Sequence, residues 1–336
     1  MFRSLLFLLS ILCSTNAEAQ RCGRGPHGVG FTSLTRFDDS RPAVKEQLQQ
    51  NAGRIIPVNL WYPAARGGRK MCFSDYVTLA GLELDSTRNG NTKSLGIQRY
   101  YSWPQYMKAD SLAFVNYLSQ CSRMMAVNGT PKKLQDYPVV LLVHGSAADH
   151  AWMAENLASH GFIVVHVPVK GSKTYELDYA DKGLENQVLD YEFALKTVMR
   201  EFAVKSEPMA AIGFSFGGQS AVALALRNRS IRKVVSLDGG IGSTFGAQLL
   251  KAQSYYDEAN LPTILHLYNN RDKDADVGWL KTLPKTTTVA LPNMEHGYFT
   301  SFGKIRNHLP DIMGKDAPDP GGGYEMVICR TTEFLM

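Results

Sequence analysis

Cysteine is scarce in this chain, with five in 336 residues, and no two of them form a C-x-x-C pair. They are spread too widely for a zinc site, whose ligands cluster at short spacings. Apolar runs are short: none approaches the roughly 20 residues that cross a bilayer, so no transmembrane segment is expected. Internal repeats of 20–50 residues are absent, which removes solenoids and propellers. Charge of one sign is not in excess, since 36 basic against 31 acidic residues leave +5. That balance is too weak and too scattered to argue for a nucleic-acid partner. The one basic knot, Arg227, Arg229, Arg232 and Lys233, sits between two predicted elements and reads as a solvated turn. With 44% hydrophobic residues the composition is that of an ordinary folded protein.

The first residues are set apart. Arg3 supplies a positive start, Leu5 to Cys13 an apolar stretch, and Ala17-Glu18-Ala19 a small-x-small site before Gln20. This is the pattern of a cleavable signal peptide over residues 1–19, which places the mature chain, 20–336, in the periplasm or outside the cell. Export leaves Cys22, Cys72, Cys121 and Cys329 in an oxidising compartment, where at least one disulfide is expected among three pairings.

From Tyr137 onward, short apolar runs alternate with helical segments. The runs are Val139 to Val143, Phe162 to Val167, Met209 to Ile212, Lys233 to Leu237, Thr263 to Tyr268 and Thr287 to Leu291. Between them the periodicity predicts helices over Trp152 to Ser159, Leu184 to Phe202 and Gly218 to Arg227. Such alternation marks an α/β protein with a mostly parallel, doubly wound sheet buried on both faces. Upstream, Gly28 to Leu34 and Ile55 to Tyr62 read as strands. A long polar and aromatic insertion follows at about 71–136, before the first strong run. A helix is expected there from Asp110 to Met125, and Tyr100, Tyr101, Trp103 and Tyr106 are candidates for a lid or pocket wall.

Ligands of such sheets sit beyond the carboxyl ends of the strands. There Gly213-Phe214-Ser215-Phe216-Gly217-Gly218 follows a run and opens a helix. This G-x-S-x-G turn is the setting of a nucleophile elbow, which makes Ser215 the candidate nucleophile. A serine needs a base, and the base an orienting acid. Of eight histidines, His166 and His266 lie inside apolar runs and read as core. His296, in Pro292-Asn-Met-Glu-His-Gly, follows the last run and can reach over Ser215. The acid has two placements: Asp238, which ends the run after the elbow helix, or Asp272 and Asp274 beyond the next run. The Asp272, Asp274, Asp276 spacing evokes a calcium loop, but no glycine stands at its sixth position and Leu283 occupies its last. Backbone N–H groups of Phe216 and of Ser146, in His144-Gly145-Ser146, are the candidate oxyanion donors.

With Leu142-Val-His-Gly145 and Gly213-Phe-Ser-Phe-Gly-Gly218 in view, the chain resembles the α/β-hydrolase superfamily. Within it, the chain is similar to platelet-activating-factor acetylhydrolase and dienelactone-hydrolase-like esterases. The resemblance implies an α/β-hydrolase fold and ester hydrolysis by a Ser-His-Asp triad, and it favours Asp238 as the acid, with His296 as base. It implies no metal and no organic cofactor, and a small-molecule or lipid-like ester as the partner. Phe214 departs from the histidine often found before the nucleophile, and the nucleophile is serine where dienelactone hydrolases carry cysteine. An acyltransferase with the same triad and a binding protein on a hydrolase scaffold are the alternatives.

Overall fold

The computed structural model describes residues 23–45, 53–84, 94, 96–98, 111–131, 133–134, 136–271, 276–312, 314 and 317–336. The leader 1–19, the aromatic cluster Tyr100 to Tyr106, and Asp272 and Asp274 lie outside the described residues.

Strands β1 (Gly28–Pro42) and β2 (Gly53–Ala64) form a long antiparallel pair. Both outrun their sequence signals because the ladder continues past Leu34 into polar residues. The insertion then contributes β3 (Lys70–Cys72), α1 (Phe73–Leu84), α2 (Ser111–Ser119) and β4 (Arg123–Asn128). The expected helix to Met125 is corrected here: α2 stops at Ser119, and Cys121 takes φ +48. The chain then turns back as β4, parallel to β1. Alternating burial of Met124 and Ala126, not a helical stripe, is what Arg123–Asn128 encodes. This part of the insertion is therefore sheet edge.

The regular half runs β5 (Val139–Val143), α3 (Ala147–Ser159), β6 (Ile163–Val167), α4 (Asp181–Glu201), β7 (Pro208–Phe214), α5 (Gly217–Arg227) and β8 (Lys233–Leu237). It continues through α6 (Thr244–Lys251), β9 (Thr263–Asn269), α7 (Gly278–Thr282) and β10 (Thr286–Leu291), and ends with α8 (Ser301–Ile305) and α9 (Gly323–Leu335). Among the described residues the strands join into one sheet in the order β10-β9-β8-β7-β5-β6-β2-β1-β4-β3. The six strands from β10 to β6 run parallel, and β2 is antiparallel to β6.

Two cores result from strand alternation. Val140 and Leu142 of β5 face a cluster with Met153 and Leu157 of α3 and Tyr324 and Val327 of α9. Val139, Leu141 and Val143 face the opposite cluster, with Val188 and Tyr191 of α4 and Val222 and Leu226 of α5. Helix α3 begins at a capping box, Ser146 and Asp149 each bonding the other's backbone. Buried Glu155 on α3 accepts from Tyr76 Oη and from the Met125 and Ala126 N–H groups, tying the insertion to the sheet. Burial pushes its carboxyl up to about 7. Cys72 and Cys121 sit together at a Cα–Cα separation of 5.0 Å, at disulfide distance across the start of α1 and the end of α2. Cys22 lies outside the described residues. No described helix is long and apolar enough to cross a membrane.

Candidate active site

The turn between β7 and α5 holds Ser215 at φ +53, a region that non-glycine residues enter at a cost of about 1–3 kcal/mol. Three backbone bonds hold it there. Ser215 N–H donates to Leu237 at 3.2 Å, and its carbonyl accepts from Gly218 at 2.9 Å and Gly240 at 2.8 Å. Small residues two before and two after the serine are a packing requirement. A Cβ at Gly213 would lie 1.9 Å from the Gly217 carbonyl oxygen, and one at Gly217 would lie 2.5 Å from that of Val143.

Asp238, at the end of β8, takes φ +43 and is fixed on every side. Its N–H donates to Leu267 at 2.7 Å, and its Oδ1 accepts from Asn269 N–H at 2.8 Å. Its Oδ2 accepts from His296 Nδ1 at 2.7 Å. A carboxylate oxygen accepts, so Nδ1 carries the proton and Nε2 is left with a lone pair. The Asp238 side chain is 6% exposed against 26% for that of His296, so the carboxylate is sheltered while the imidazole reaches solvent. His296 opens a 3-10 turn anchored by buried Tyr298 and Phe299. Its ring stacks on Phe214 at 4.7 Å with 30° between planes. On its other sides Phe214 meets His144 and buried His150, at 6.2 and 5.9 Å. The phenylalanine preceding Ser215 is thus the bearing surface for the imidazole.

Ser215, Asp238 and His296 line one cavity of about 250 Å3, together with Phe216. The structure brings these four predicted residues together. Phe216 opens α5, where first-turn N–H groups lack intrahelical acceptors. Ser146 is a correction. Its N–H donates to Asp149 Oδ2 at 2.6 Å and its hydroxyl to the same oxygen at 2.8 Å, so the capping box occupies the donor expected at the oxyanion. A larger cleft of about 840 Å3 lies along β1, β4 and α1 and touches none of the four.

Much of the cavity wall is unmarked in the sequence. His266 and Tyr268 of β9 share the face that looks into it, and Gln219 and Ser243 border it. Tyr179 and Phe245 stand at its mouth, 60% and 55% exposed. Tyr179 meets Phe216 edge-on at 5.4 Å. Its loop, between β6 and α4, is clamped by Arg54, which bonds the Gly171 carbonyl at 2.9 Å and grips Asp190 with two bonds of 2.7 Å. The signal for Tyr268 was available as the i, i+2 partner of His266 at a strand's carboxyl end; nothing in the sequence marks Tyr179 or Phe245.

A ferulic acid esterase from Streptomyces cinnamoneus superposes with a TM-score of 0.60 at 17% identity, covering 92% of this chain and 88% of that one. The chain has the α/β-hydrolase fold. Est1E from Butyrivibrio proteoclasticus aligns at TM-score 0.37 and 14% identity over 55% of this chain and 88% of that one, a likeness too weak to weigh. The family model for chlorophyllase matches residues 107–248, less than half of this chain. A curated relative, chlorophyllase type 0 of Chenopodium album, is 32% identical over 146 residues, 40% of this chain and 41% of its own length. The chain thus spans about two-fifths of that relative. The family-model match contains the elbow and Asp238 and ends before His296. The superfamily resemblance drawn from Leu142 to Gly145 and Gly213 to Gly218 agrees with these likenesses.

Proposed function

We propose that this α/β-hydrolase is a serine esterase acting on carboxylic esters through an acyl-enzyme. His296 Nε2 takes the Ser215 proton as Oγ attacks the ester carbonyl, and returns it to the leaving alcohol. A water, deprotonated by the same nitrogen, then attacks the acyl carbon and frees Ser215. Asp238 holds the Nδ1–H tautomer and stabilises the imidazolium. The Phe216 N–H, at the positive end of α5, stabilises the tetrahedral oxyanion.

The observation that carries this reading is the 2.7 Å bond from His296 to the sheltered Asp238 carboxylate, beside a strained serine in one cavity. A scaffold that only binds has no need of a backbone-fixed acid facing an imidazole. The esterase and chlorophyllase likenesses support the same chemistry. Chlorophyll, which the relative's name gives as its substrate, is a large apolar ester, and the exposed Tyr179 and Phe245 suit an apolar group at the cavity mouth. We also read the chain as exported, on the leader pattern of residues 1–19 and the Cys72–Cys121 pair. A panel of p-nitrophenyl esters from acetyl to palmitoyl tests the activity. Turnover of at least one ester, lost in Ser215→Ala with the fold retained, is expected; a Ser215→Ala rate within tenfold of the parent overturns the assignment.

A further inference from the structure

The floor of the Ser215 cavity carries a second histidine that has no part in the triad. His266 and Tyr268 lie two residues apart on one face of β9, and their rings stack at 5.4 Å with 9° between planes. His266 is almost fully buried, yet it lines the cavity beside Ser215 and His296. Burial pushes its pKa down to about 4, so at neutral pH the ring is uncharged and holds a single N–H.

Which nitrogen holds that proton follows from Ser236. This residue is the register partner of His266 on β8, is fully buried, and places its Oγ 2.9 Å from Nδ1. Among the described residues the Ser236 hydroxyl has no other hydrogen-bond acceptor in reach. A buried hydroxyl donates where an acceptor is available, so Nδ1 accepts and the proton sits on Nε2. The Nε2 edge faces Gly242, where even a Cβ would come within 2.3 Å, and Gly242 itself lines the cavity. A side chain at 242 would displace this edge of the ring; glycine leaves it in place.

We infer that His266 is a specificity-determining residue of the esterase proposed above. Its Nε2–H donates to an acceptor oxygen in the substrate's acyl chain. The inference rests on the esterase reading. The acyl side is indicated because the cavity of about 250 Å3 holds a short chain, while the open Tyr179 and Phe245 rim suits a larger alcohol group. The preferred substrates are therefore esters of short oxo-acids over those of the matching plain acids.

The test compares kcat/KM for p-nitrophenyl hexanoate with the 3-, 4- and 5-oxohexanoates, each corrected for its uncatalysed hydrolysis. One buried neutral hydrogen bond corresponds to about tenfold. The parent is expected to favour at least one oxo ester by that factor. In His266→Leu the ratio should fall to about one. Ser236→Ala keeps the imidazole but frees its tautomer, so it should lower the ratio too, and it decides the matter if the leucine variant does not fold. General damage to the enzyme cancels in the ratio. A parent ratio near one, or a ratio unchanged in both variants, overturns the inference. Fluorophosphonate labelling of the parent separates the two failures. Labelling at Ser215 without an oxo preference removes only the role of His266; a folded parent that does not label removes the esterase reading and this inference with it.

Discussion

Replacing Asp238 by asparagine isolates the role of the acid with the least disturbance to the chain. Asparagine tolerates the left-handed backbone that Asp238 adopts at φ +43, so the turn after β8 should survive. Asparagine has one acceptor oxygen, whereas the Asp238 carboxylate serves two N–H groups with one oxygen each: Asn269 at 2.8 Å and His296 at 2.7 Å. The Asn269 donor is backbone and cannot turn away, so the amide oxygen stays with it and the NH2 faces His296. Nδ1 must then accept, the ring proton moves to Nε2, and the lone pair that takes the Ser215 proton is lost. Misorienting a triad histidine in this way lowers kcat by about 10²–10⁴, equivalent to about 3–5 kcal/mol of transition-state stabilisation. KM should change little, because Asp238 contacts the base and not the ester. Steady-state kinetics on the best p-nitrophenyl ester, with circular dichroism to verify the fold, measures both constants. Asp272→Asn and Asp274→Asn should each stay within about tenfold of the parent. A nearly silent Asp238→Asn beside a dead variant at 272 or 274 would transfer the acid to the later loop.

The remaining expectations concern the cavity mouth, the insertion and a buried acid. Tyr179→Ala or Phe245→Ala removes part of an exposed aromatic rim, so KM for esters of bulky apolar alcohols should rise about tenfold; an equal rise for the methyl ester would show that neither ring selects for size. The Cys72–Cys121 pair closes 49 residues, which in the chain-entropy view is worth up to about 4 kcal/mol. Cys72→Ser should lower the denaturant midpoint under non-reducing conditions, and four alkylatable thiols in the unreduced mature protein would refute the pairing. Glu155 is raised in the fold to about 7 from 4.5, so the native state holds its proton where the unfolded state has lost it. Its cost therefore grows as pH rises from about 4.5 to 7 and is complete above that. Relative to the parent, Glu155→Gln should gain about 2.5 kcal/mol of stability between pH 5 and pH 8, and a pH-independent difference would contradict the shift.

The proposed triad was legible because strand ends and tight turns leave strong marks. Apolar runs stopping at Gly213, Asp238 and Pro292 located the carboxyl ends of β7, β8 and β10, and the three residues of the proposed triad follow those ends. What stayed hidden depends on long-range packing. Ser146 reads as an oxyanion donor until Asp149, three residues on, is seen to take its N–H in a capping box. The S-x-x-D spacing was there, but a cap and an oxyanion loop look alike in sequence. His266 reads as core because an apolar run surrounds it. Only Gly242, packed against the Nε2 edge of the ring and itself lining the cavity, shows that His266 borders it. In the insertion, helical periodicity extended across Cys121, where a left-handed residue and a partner strand end the helix.

The most direct measurement is labelling of the folded, unreduced parent with a fluorophosphonate, followed by peptide mass mapping. A single adduct on Ser215, absent in Ser215→Ala and slowed in Asp238→Asn, is the expected result. A folded parent that takes no adduct, or one modified at a serine other than Ser215, would contradict the triad and the esterase built on it.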